Sequence, residues 1–319
     1  MKNKKTWSWL IGLGLLGLII CGGFVGLGLW AAAKLGNGSG NLAFGDAVAI
    51  VRVEGTILAG EAPPANPFGG GVGGAYSQQV IDHLKQAESD EDVKAIVLYV
   101  DSPGGSVFAS DEIYLQIKEM TKPIITSMNS LAASGGYYVS APTDEIWASP
   151  HTLTCSIGVI FQFPNIEEFA HEYGVTWVTV TSGKFKDLGN PFKEFTAEDE
   201  ALMQTIVDEA YAEFVRIVVE GRDMSEADVR AIADGRICTG KQAKAAGLVD
   251  ELGYLPDVID RAAELGGIEG EPRLIEYNDT PTFLEALGAS FNQPSPVQEL
   301  KELMHFNAGS PLMYLYVGP

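Results

Sequence analysis

Cysteine is scarce in this sequence: the 319 residues include only Cys21, Cys155 and Cys238. None of them belongs to a C-x-x-C pair, and Cys21 lies inside an apolar run. This scarcity excludes a small fold held together by several disulfides and argues against a zinc site built from thiolates. The sequence leaves open whether a single disulfide joins Cys155 to Cys238.

Basic residues are also few. The chain has 21 lysines and arginines against 42 aspartates and glutamates, so its formal net charge at pH 7 is -21. A surface of this sign repels phosphate backbones, and we expect no nucleic acid as a partner. Hydrophobic residues make up 46% of the chain, which excludes disorder throughout and allows a sizeable core.

Charged residues are absent from residues 6–33, and this gap predicts a transmembrane helix. The segment is long enough to cross about 30 Å of hydrocarbon. Lys2, Lys4 and Lys5 precede it and Lys34 follows it. The positive-inside rule therefore predicts a single-pass protein of the cell membrane, with a cytoplasmic N-terminus and its remainder on the extracytoplasmic side.

Two processing alternatives stay open for this segment. Ala31–Ala33 offers a weak cleavage site for a removable signal peptide, although the apolar run is long for one. Leu18–Cys21 has the outline of a lipoprotein cleavage site, but Ile20 is bulky where a small residue is expected.

Strands and helices alternate in the remainder, which predicts an α/β fold with a parallel sheet. Strands are predicted at 47–57, 94–102, 122–130, 144–149, 156–161 and 175–180. Helices are predicted at 77–89, 107–120, from 134, 165–173, 196–220, 225–234, 240–246 and 255–265. The predicted domains are an anchor (1–34), a linker (35–45), the α/β domain (46–270) and a C-terminal extension of weak helices (271–319). Residues 61–77 are rich in glycine and proline and predict a mobile loop.

Two turns carry residues suited to chemistry, and each follows a predicted strand and precedes a predicted helix. In Asp101–Ser106, Gly104 and Gly105 leave backbone N–H groups uncovered, as an oxyanion hole requires. An ordinary strand-to-helix turn is the alternative. Because ligands bind at the carboxyl edge of a parallel sheet, this turn is a candidate site.

The second turn, Ser130–Tyr138, contains Ser134 at a predicted helix N-terminus. Small neighbours would let a peptide carbonyl approach the hydroxyl, and the N–H of Gly135 would complete the oxyanion hole. The alternative is that Ser134 only caps the helix.

A nucleophilic serine needs a base. None of the four histidines lies in a G-x-S-x-G or H-E-x-x-H context, and His151 is the best placed of them because it follows a strand end. A lysine is the alternative base if burial lowers its pKa from about 10.4 by several units. On pattern alone Lys184, Lys186 and Lys193 are equal candidates.

Four segments in this order resemble the short, single-domain form of the signal peptide peptidase A family. They are D-S-P-G-G (101–105), S-L-A-A-S-G-G-Y-Y (130–138), S-I-G-V-I (156–160) and S-G-x-x-K-D (182–187), followed by T-G-x-x-A-x-x-x-G-L-V-D (239–250). The resemblance covers about residues 46–267. It implies the following roles: Ser134 as nucleophile, Lys186 as general base, Ser156 as the residue that orients the lysine, and Gly104 or Gly105 with Gly135 as the oxyanion hole.

The same resemblance implies a Clp-protease/crotonase-like spiral of β-β-α units. It also implies a homo-oligomeric ring or dome, such as an octamer, in which neighbouring protomers supply the serine and the lysine. Remnant signal peptides and other extended hydrophobic peptides are the implied substrates, and neither metal nor cofactor is required.

Two other functions compete with a peptidase: a crotonase-like acyl-CoA enzyme and a catalytically silent membrane scaffold of the same fold. A further hypothesis concerns the apolar tail Pro311–Pro319. It resembles a substrate of the expected enzyme, so we expect it either to occupy the site or to be trimmed.

Overall fold

The computed structural model describes residues 45–63, 74–277 and 312–316. These residues form a mixed α/β domain, as predicted. The predicted anchor (1–34), the linker up to residue 44 and most of the glycine- and proline-rich loop lie outside the described residues. Within the described residues, no helix has both the length and the apolar character needed to cross a membrane.

Thirteen strands and eight helices are assigned in the described ranges. The strands are β1 (Ala47–Glu54), β2 (Thr56–Leu58), β3 (Gly74–Tyr76), β4 (Val93–Ser102), β5 (Gly104–Ser106), β6 (Ile124–Ala133), β7 (Glu145–Ala148), β8 (Leu153–Cys155), β9 (Ile160–Phe161), β10 (Ile237–Thr239), β11 (Glu251–Leu252), β12 (Arg273–Glu276) and β13 (Leu312–Leu315). The helices are α1 (Ser77–Ser89), α2 (Val107–Glu119), α3 (Gly135–Ser140), α4 (Glu167–Glu172), α5 (Ala197–Arg222), α6 (Glu226–Ile232), α7 (Gly240–Ala245) and α8 (Leu255–Leu265).

The larger sheet has the strand order β10-β8-β6-β4-β1-β12, and β7 pairs with both β6 and β11. Strands β1, β4 and β6 are mutually parallel. Each of β1 and β4 is followed by short strand structure of the second sheet and then by a helix, which is the β-β-α order expected from the resemblance. The carboxyl ends of β4 and β6 therefore meet at one edge of the sheet.

Apolar side chains alternate between the two faces of β4. Ile96, Leu98 and Val100 belong to a large core cluster on one face, whereas Ala95 and Val97 belong to a smaller cluster packed against α8. This period of two is the pattern of a strand buried on both faces. The resulting rigid sheet fixes the turns at its carboxyl edge.

The second sheet has the order β3-β2-β5-β13-β9. Strand β5 is its centre, and β13, from the C-terminal tail, pairs antiparallel with β5 on one side and with β9 on the other. The turn after β4 thus leads directly into a strand whose edge is occupied by the tail.

Four secondary-structure predictions differ from the structure in the described residues. Residues 175–180 form no strand but an exposed irregular segment, because their alternating apolar residues find no partner strand among the described residues. The strand predicted at 156–161 is reduced to β9. Where the structure describes the tail, strands β12, which pairs with β1, and β13 stand in place of the predicted weak helices. The rest of the predicted tail helices lie outside the described residues. Residues 74–76 of the predicted loop form β3.

Candidate active site

Ser134 lies at the turn between β6 and α3. Its φ of 53° and ψ of -114° are unusual for a residue with a side chain, and such backbone strain tends to occur at functional sites. The Ser134 N–H donates to the carbonyl of Cys155 at 2.9 Å, and its own carbonyl accepts from Tyr138 N–H at 2.9 Å. These two bonds hold the strained turn, and only 1% of the residue is exposed.

The glycines after Ser134 are required by close packing. A Cβ on Gly135 would lie 2.8 Å from Ser110 Oγ, and one on Gly136 would lie 2.8 Å from the carbonyl oxygen of Ser102. Either contact is closer than a real Cβ tolerates. The S-G-G sequence therefore allows α3 to begin directly beneath the end of β4.

The two backbone amides expected to form an oxyanion hole differ in their bonding. The Gly104 N–H donates to Ser102 Oγ at 3.0 Å, and that hydroxyl donates to the carbonyl of Gly55 at 2.6 Å. The amide of Gly135 opens α3, so it has no acceptor within its own helix. Gly135 is therefore the more available donor of the two.

Gly104 adopts a φ of +93°, and a Cβ there would lie 2.5 Å from the amide nitrogen of Gly135 and overlap the carbonyl oxygen of Tyr314. That oxygen is also 3.0 Å from the position of a Cβ on Gly135. A peptide carbonyl thus already lies between the two glycines predicted to bind one. The third predicted residue, Gly105, packs closely on Ile57 of β2.

The strand β13 binds along β5 as an extended peptide. Met313, Tyr314 and Leu315 pair with Ser106, Gly105 and Gly104, respectively. The N–H of Tyr316 continues the ladder and donates to the carbonyl of Pro103 at 2.8 Å. Main-chain pairing of this kind is how a sheet edge takes up an extended peptide.

The side chain of Tyr314 fills a deep aromatic pocket, and the residue is fully buried. Its ring stacks on Tyr138 with centroids 4.6 Å apart and lies 4.7 Å from the ring of Phe214. Its hydroxyl donates to the carbonyl of Ala210 at 2.9 Å, and burial raises the pKa of this phenol, which stays a neutral donor. Sequence reasoning missed this pocket, because its walls come from α3 and α5.

Ser156, the residue expected to orient the base, is buried next to the same turn. Both Cys155 and Ser156 have positive φ values, 66° and 53°. Ser156 N–H donates to the carbonyl of Arg236 at 2.8 Å. A disulfide joins Cys155 to Cys238, with their Cα atoms 5.6 Å apart, which resolves the pairing that the sequence left open.

Ser134 and Ser156 line one cavity of about 480 Å³ together with Leu315 and Tyr316 of the tail. Lys186 is not among the residues that line it, and neither is His151, the alternative base. The structure therefore brings together both predicted serines and the glycine turns, but within one copy of the chain it does not add a base to them.

Lys186 lies in a long exposed segment, and every residue from 171 to 186 is exposed. Lys184 pairs with Glu198, and Lys193 pairs with Asp187 at 2.9 Å. In the part of the chain that the structure describes, the Lys186 side chain has no ion pair or hydrogen bond. The sequence pattern made Lys184, Lys186 and Lys193 equal candidates for the base. Among the described residues, Lys186 is the one of these three without a carboxylate partner.

The described residues contain no group of three or more histidine, cysteine, aspartate or glutamate side chains placed to hold a metal ion.

Models of two peptidase families match parts of this chain. The model of peptidase family S49 matches residues 116–269, and the Clp protease model matches residues 68–152. A protein of Enterococcus faecium named as a candidate signal peptide peptidase SppA is 40% identical over 210 residues, which cover 65% of this chain and 61% of that protein. A candidate protease of Synechocystis is 36% identical over 66% of this chain and 77% of its own length.

Protease 4 of Salmonella typhi is 36% identical over 76% of this chain but over only 38% of its own length. The chain thus spans less than two thirds of the Enterococcus and Salmonella relatives. The matches and the fold together define a Clp-protease-like α/β domain of the kind found in serine peptidases. More particularly, the chain belongs to peptidase family S49.

Proposed function

We propose that this chain is a serine peptidase that cleaves extended apolar peptides with Ser134 as nucleophile and Lys186 as general base. The single observation that carries this proposal is the pairing of β13 with β5, which places a peptide carbonyl between Gly104 and Gly135. The relatives named as peptidases support the same activity.

The tail indicates how a substrate binds. An extended segment pairs antiparallel with Gly104–Ser106, and one of its side chains enters the pocket between Tyr138 and Phe214. Main-chain bonds would give affinity for any extended peptide, and the aromatic pocket would select an apolar or aromatic side chain. Remnant signal peptides fit this description.

The base would come from a second copy of the chain. Lys186 belongs to a segment whose apolar residues Trp177, Val178 and Val180 are 60%, 80% and 94% exposed. Exposed apolar surface of this kind is typical of protein interfaces. In a homo-oligomer, docking of this segment on a neighbour would bury the Lys186 amine beside Ser134, where desolvation favours its neutral form.

The chemistry follows from these positions. The neutral amine of Lys186 takes the proton of Ser134 as Oγ attacks the peptide carbonyl, and the Gly135 amide stabilises the developing oxyanion. The protonated amine then gives its proton to the leaving nitrogen, which leaves an acyl-enzyme. Water, deprotonated by the same amine, hydrolyses the ester and restores Ser134.

We further propose that residues 6–33 anchor the enzyme in the cell membrane and that the catalytic domain lies on the extracytoplasmic side. The arrangement of charges around that segment supports this orientation. The Cys155–Cys238 disulfide agrees with it, because disulfides persist in oxidising compartments.

Labelling with a fluorophosphonate probe tests the proposal. We expect the wild type to be labelled at Ser134, and the variants Ser134→Ala and Lys186→Ala to lose labelling and cleavage of an apolar peptide while their oligomer persists. Lys184→Ala is the matched control, because this lysine lies two residues away and pairs with Glu198. Labelling of Lys186→Ala at the wild-type rate would remove the lysine from the mechanism.

A further inference from the structure

The Cys155–Cys238 disulfide lies directly beside the nucleophile turn. It joins β8 to β10, which pair antiparallel with Ile237 opposite Cys155 and Thr154 opposite Cys238. The bond therefore crosses two strands that already touch. It closes the chain across a sequence separation of 83 residues, and that loop contains Lys186.

Two backbone hydrogen bonds connect this disulfide to the site. The carbonyl of Cys155 accepts from the N–H of Ser134 at 2.9 Å, and Ser156, the next residue, donates its N–H to the carbonyl of Arg236 at 2.8 Å. Arg236 in turn is two residues from Cys238. Each cysteine thus lies no more than two residues from a backbone carbonyl that accepts from one of the two serines lining the cavity.

The backbone at this point needs an external restraint. Cys155 and Ser156 are consecutive residues with side chains, and both have positive φ values. Such conformations are disfavoured and persist only where the surrounding structure enforces them. Since Cys155 is one of the two, its covalent link to β10 is a direct restraint on the pair.

We propose that Cys155–Cys238 is a positioning disulfide of the active site and that its reduction by a dithiol slows acylation of Ser134 in the still-assembled enzyme. This inference rests on the proposed function. Without the bond, the carbonyl of Cys155 moves away from Ser134 N–H, and Ser156 leaves the place where it would meet the base. The catalytic groups lose alignment, whereas the groove along β5, which binds the peptide, is unaffected.

The dithiol reduces this disulfide by thiol–disulfide exchange. A thiolate of the dithiol attacks the sulfur of Cys238, the more exposed of the two residues, and the Cys155 sulfur leaves and takes up a proton. The second thiol of the reductant then displaces the Cys238 sulfur, which also takes up a proton. Two electrons pass to the protein, and the reductant becomes a cyclic disulfide.

The test uses the full-length oligomer before and after treatment with dithiothreitol, with alkylation and mass measurement to show that both thiols have formed. We expect the labelling rate of Ser134 and kcat for an apolar peptide to fall at least about tenfold, since a misplacement of about 1 Å can cost about 100-fold. We expect KM and the oligomeric state to stay unchanged. Reoxidation with oxidised glutathione restores the rate.

The double variant Cys155→Ala, Cys238→Ala is the control, and we expect it to show the slow rate with and without dithiothreitol. Equal labelling of the oxidised and reduced wild type would overturn this inference alone. Dissociation or unfolding of the reduced protein would overturn it as well, because the bond would then act on stability rather than on position. No labelling of the oxidised wild type would overturn the proposed function and this inference with it.

Discussion

The rings of Tyr138 and Tyr314 stack with their centroids 4.6 Å apart. This contact joins α3, which begins just after Ser134, to the C-terminal strand β13. Tyr138 is itself held by a bond from its hydroxyl to Asp111 at 2.9 Å. The tail is therefore bound against α3, and it occupies the groove in which we propose that substrates bind.

Removal of residues 312–319 tests whether the tail competes with substrate. We expect kcat/KM for an added apolar peptide to rise about tenfold if docking of the tail stabilises the closed groove by about 1.4 kcal/mol. Intact mass of the purified wild type shows whether the tail is trimmed. An unchanged kcat/KM in the truncated enzyme would mean that the tail does not restrict access.

A single substitution tests the pocket that holds the Tyr314 side chain. Tyr314→Phe removes the hydroxyl that donates to the carbonyl of Ala210 at 2.9 Å, which should weaken docking of the tail by about 1 kcal/mol. Steady-state kinetics should then show a smaller rise in kcat/KM than truncation gives. Tyr316→Phe is the matched control, and an equal effect of both changes would contradict the role given to the Ala210 contact.

Gly104→Ala tests the proposed position of the substrate carbonyl. A Cβ at this residue would overlap the carbonyl oxygen of Tyr314 and crowd the amide of Gly135, and the φ of +93° disfavours any side chain. We expect peptide cleavage to fall at least about 100-fold, the loss typical of a damaged oxyanion hole. Gly270→Ala, at a similar φ of +89° but with nothing within 4 Å of the added Cβ, is the control and should cleave like the wild type.

Val180→Asp tests the proposed interface. Val180 is 94% exposed, so a single folded chain would tolerate the charge, but a buried interface would not. We expect the variant to keep its secondary structure by circular dichroism and to dissociate in light scattering. Leu274→Asp, on the edge strand β12, is the comparison; if both variants assemble like the wild type, the segment from 171 to 186 is not the interface.

Asp234 gives a prediction about acid stability. Its bonds to Arg236 lower the pKa of its carboxyl from 3.8 to about 2. Because the folded-state pKa is the lower one, the stabilisation is present above about pH 4 and is lost as the pH falls through about 2. We expect Asp234→Asn to have a slightly lower Tm than the wild type at pH 6 and an equal Tm near pH 2. A difference in Tm between variant and wild type that is as large near pH 2 as at pH 6 would contradict this assignment.

The order of strands and helices could be predicted because it depends on local patterns. The alternation along β4 and the glycine-bounded turn at Ser134 are both visible in the sequence. The strand expected at 175–180 was wrong because alternation indicates a strand only where a partner strand exists. β12 and β13 were missed because each pairs with a segment far earlier in the chain.

In the candidate site, too, local patterns could be predicted and contacts between distant segments could not. One turn in the sequence predicts Ser134 and its glycines, and the structure places Ser134 and Ser156 in the lining of one cavity. The catalytic role of Ser134 stays a prediction. The pocket around Tyr314 could not be found in this way, because its members are separated by tens to hundreds of residues. For the same reason the sequence left the bridge between Cys155 and Cys238 open. The role of Lys186 stays a prediction, since it depends on a second copy of the chain.

Complementation between two inactive variants is the most direct test of the central claim, that Ser134 of one copy works with Lys186 of its neighbour. The two variants, Ser134→Ala and Lys186→Ala, are co-expressed with different affinity tags, and mixed oligomers are purified on both tags. We expect each variant alone to be inactive and the mixture to recover about a quarter of wild-type cleavage, since half of the serines and half of the neighbouring lysines are intact in a symmetric assembly. Mixed oligomers that cleave no peptide, although their assembly matches the wild type, would contradict the account.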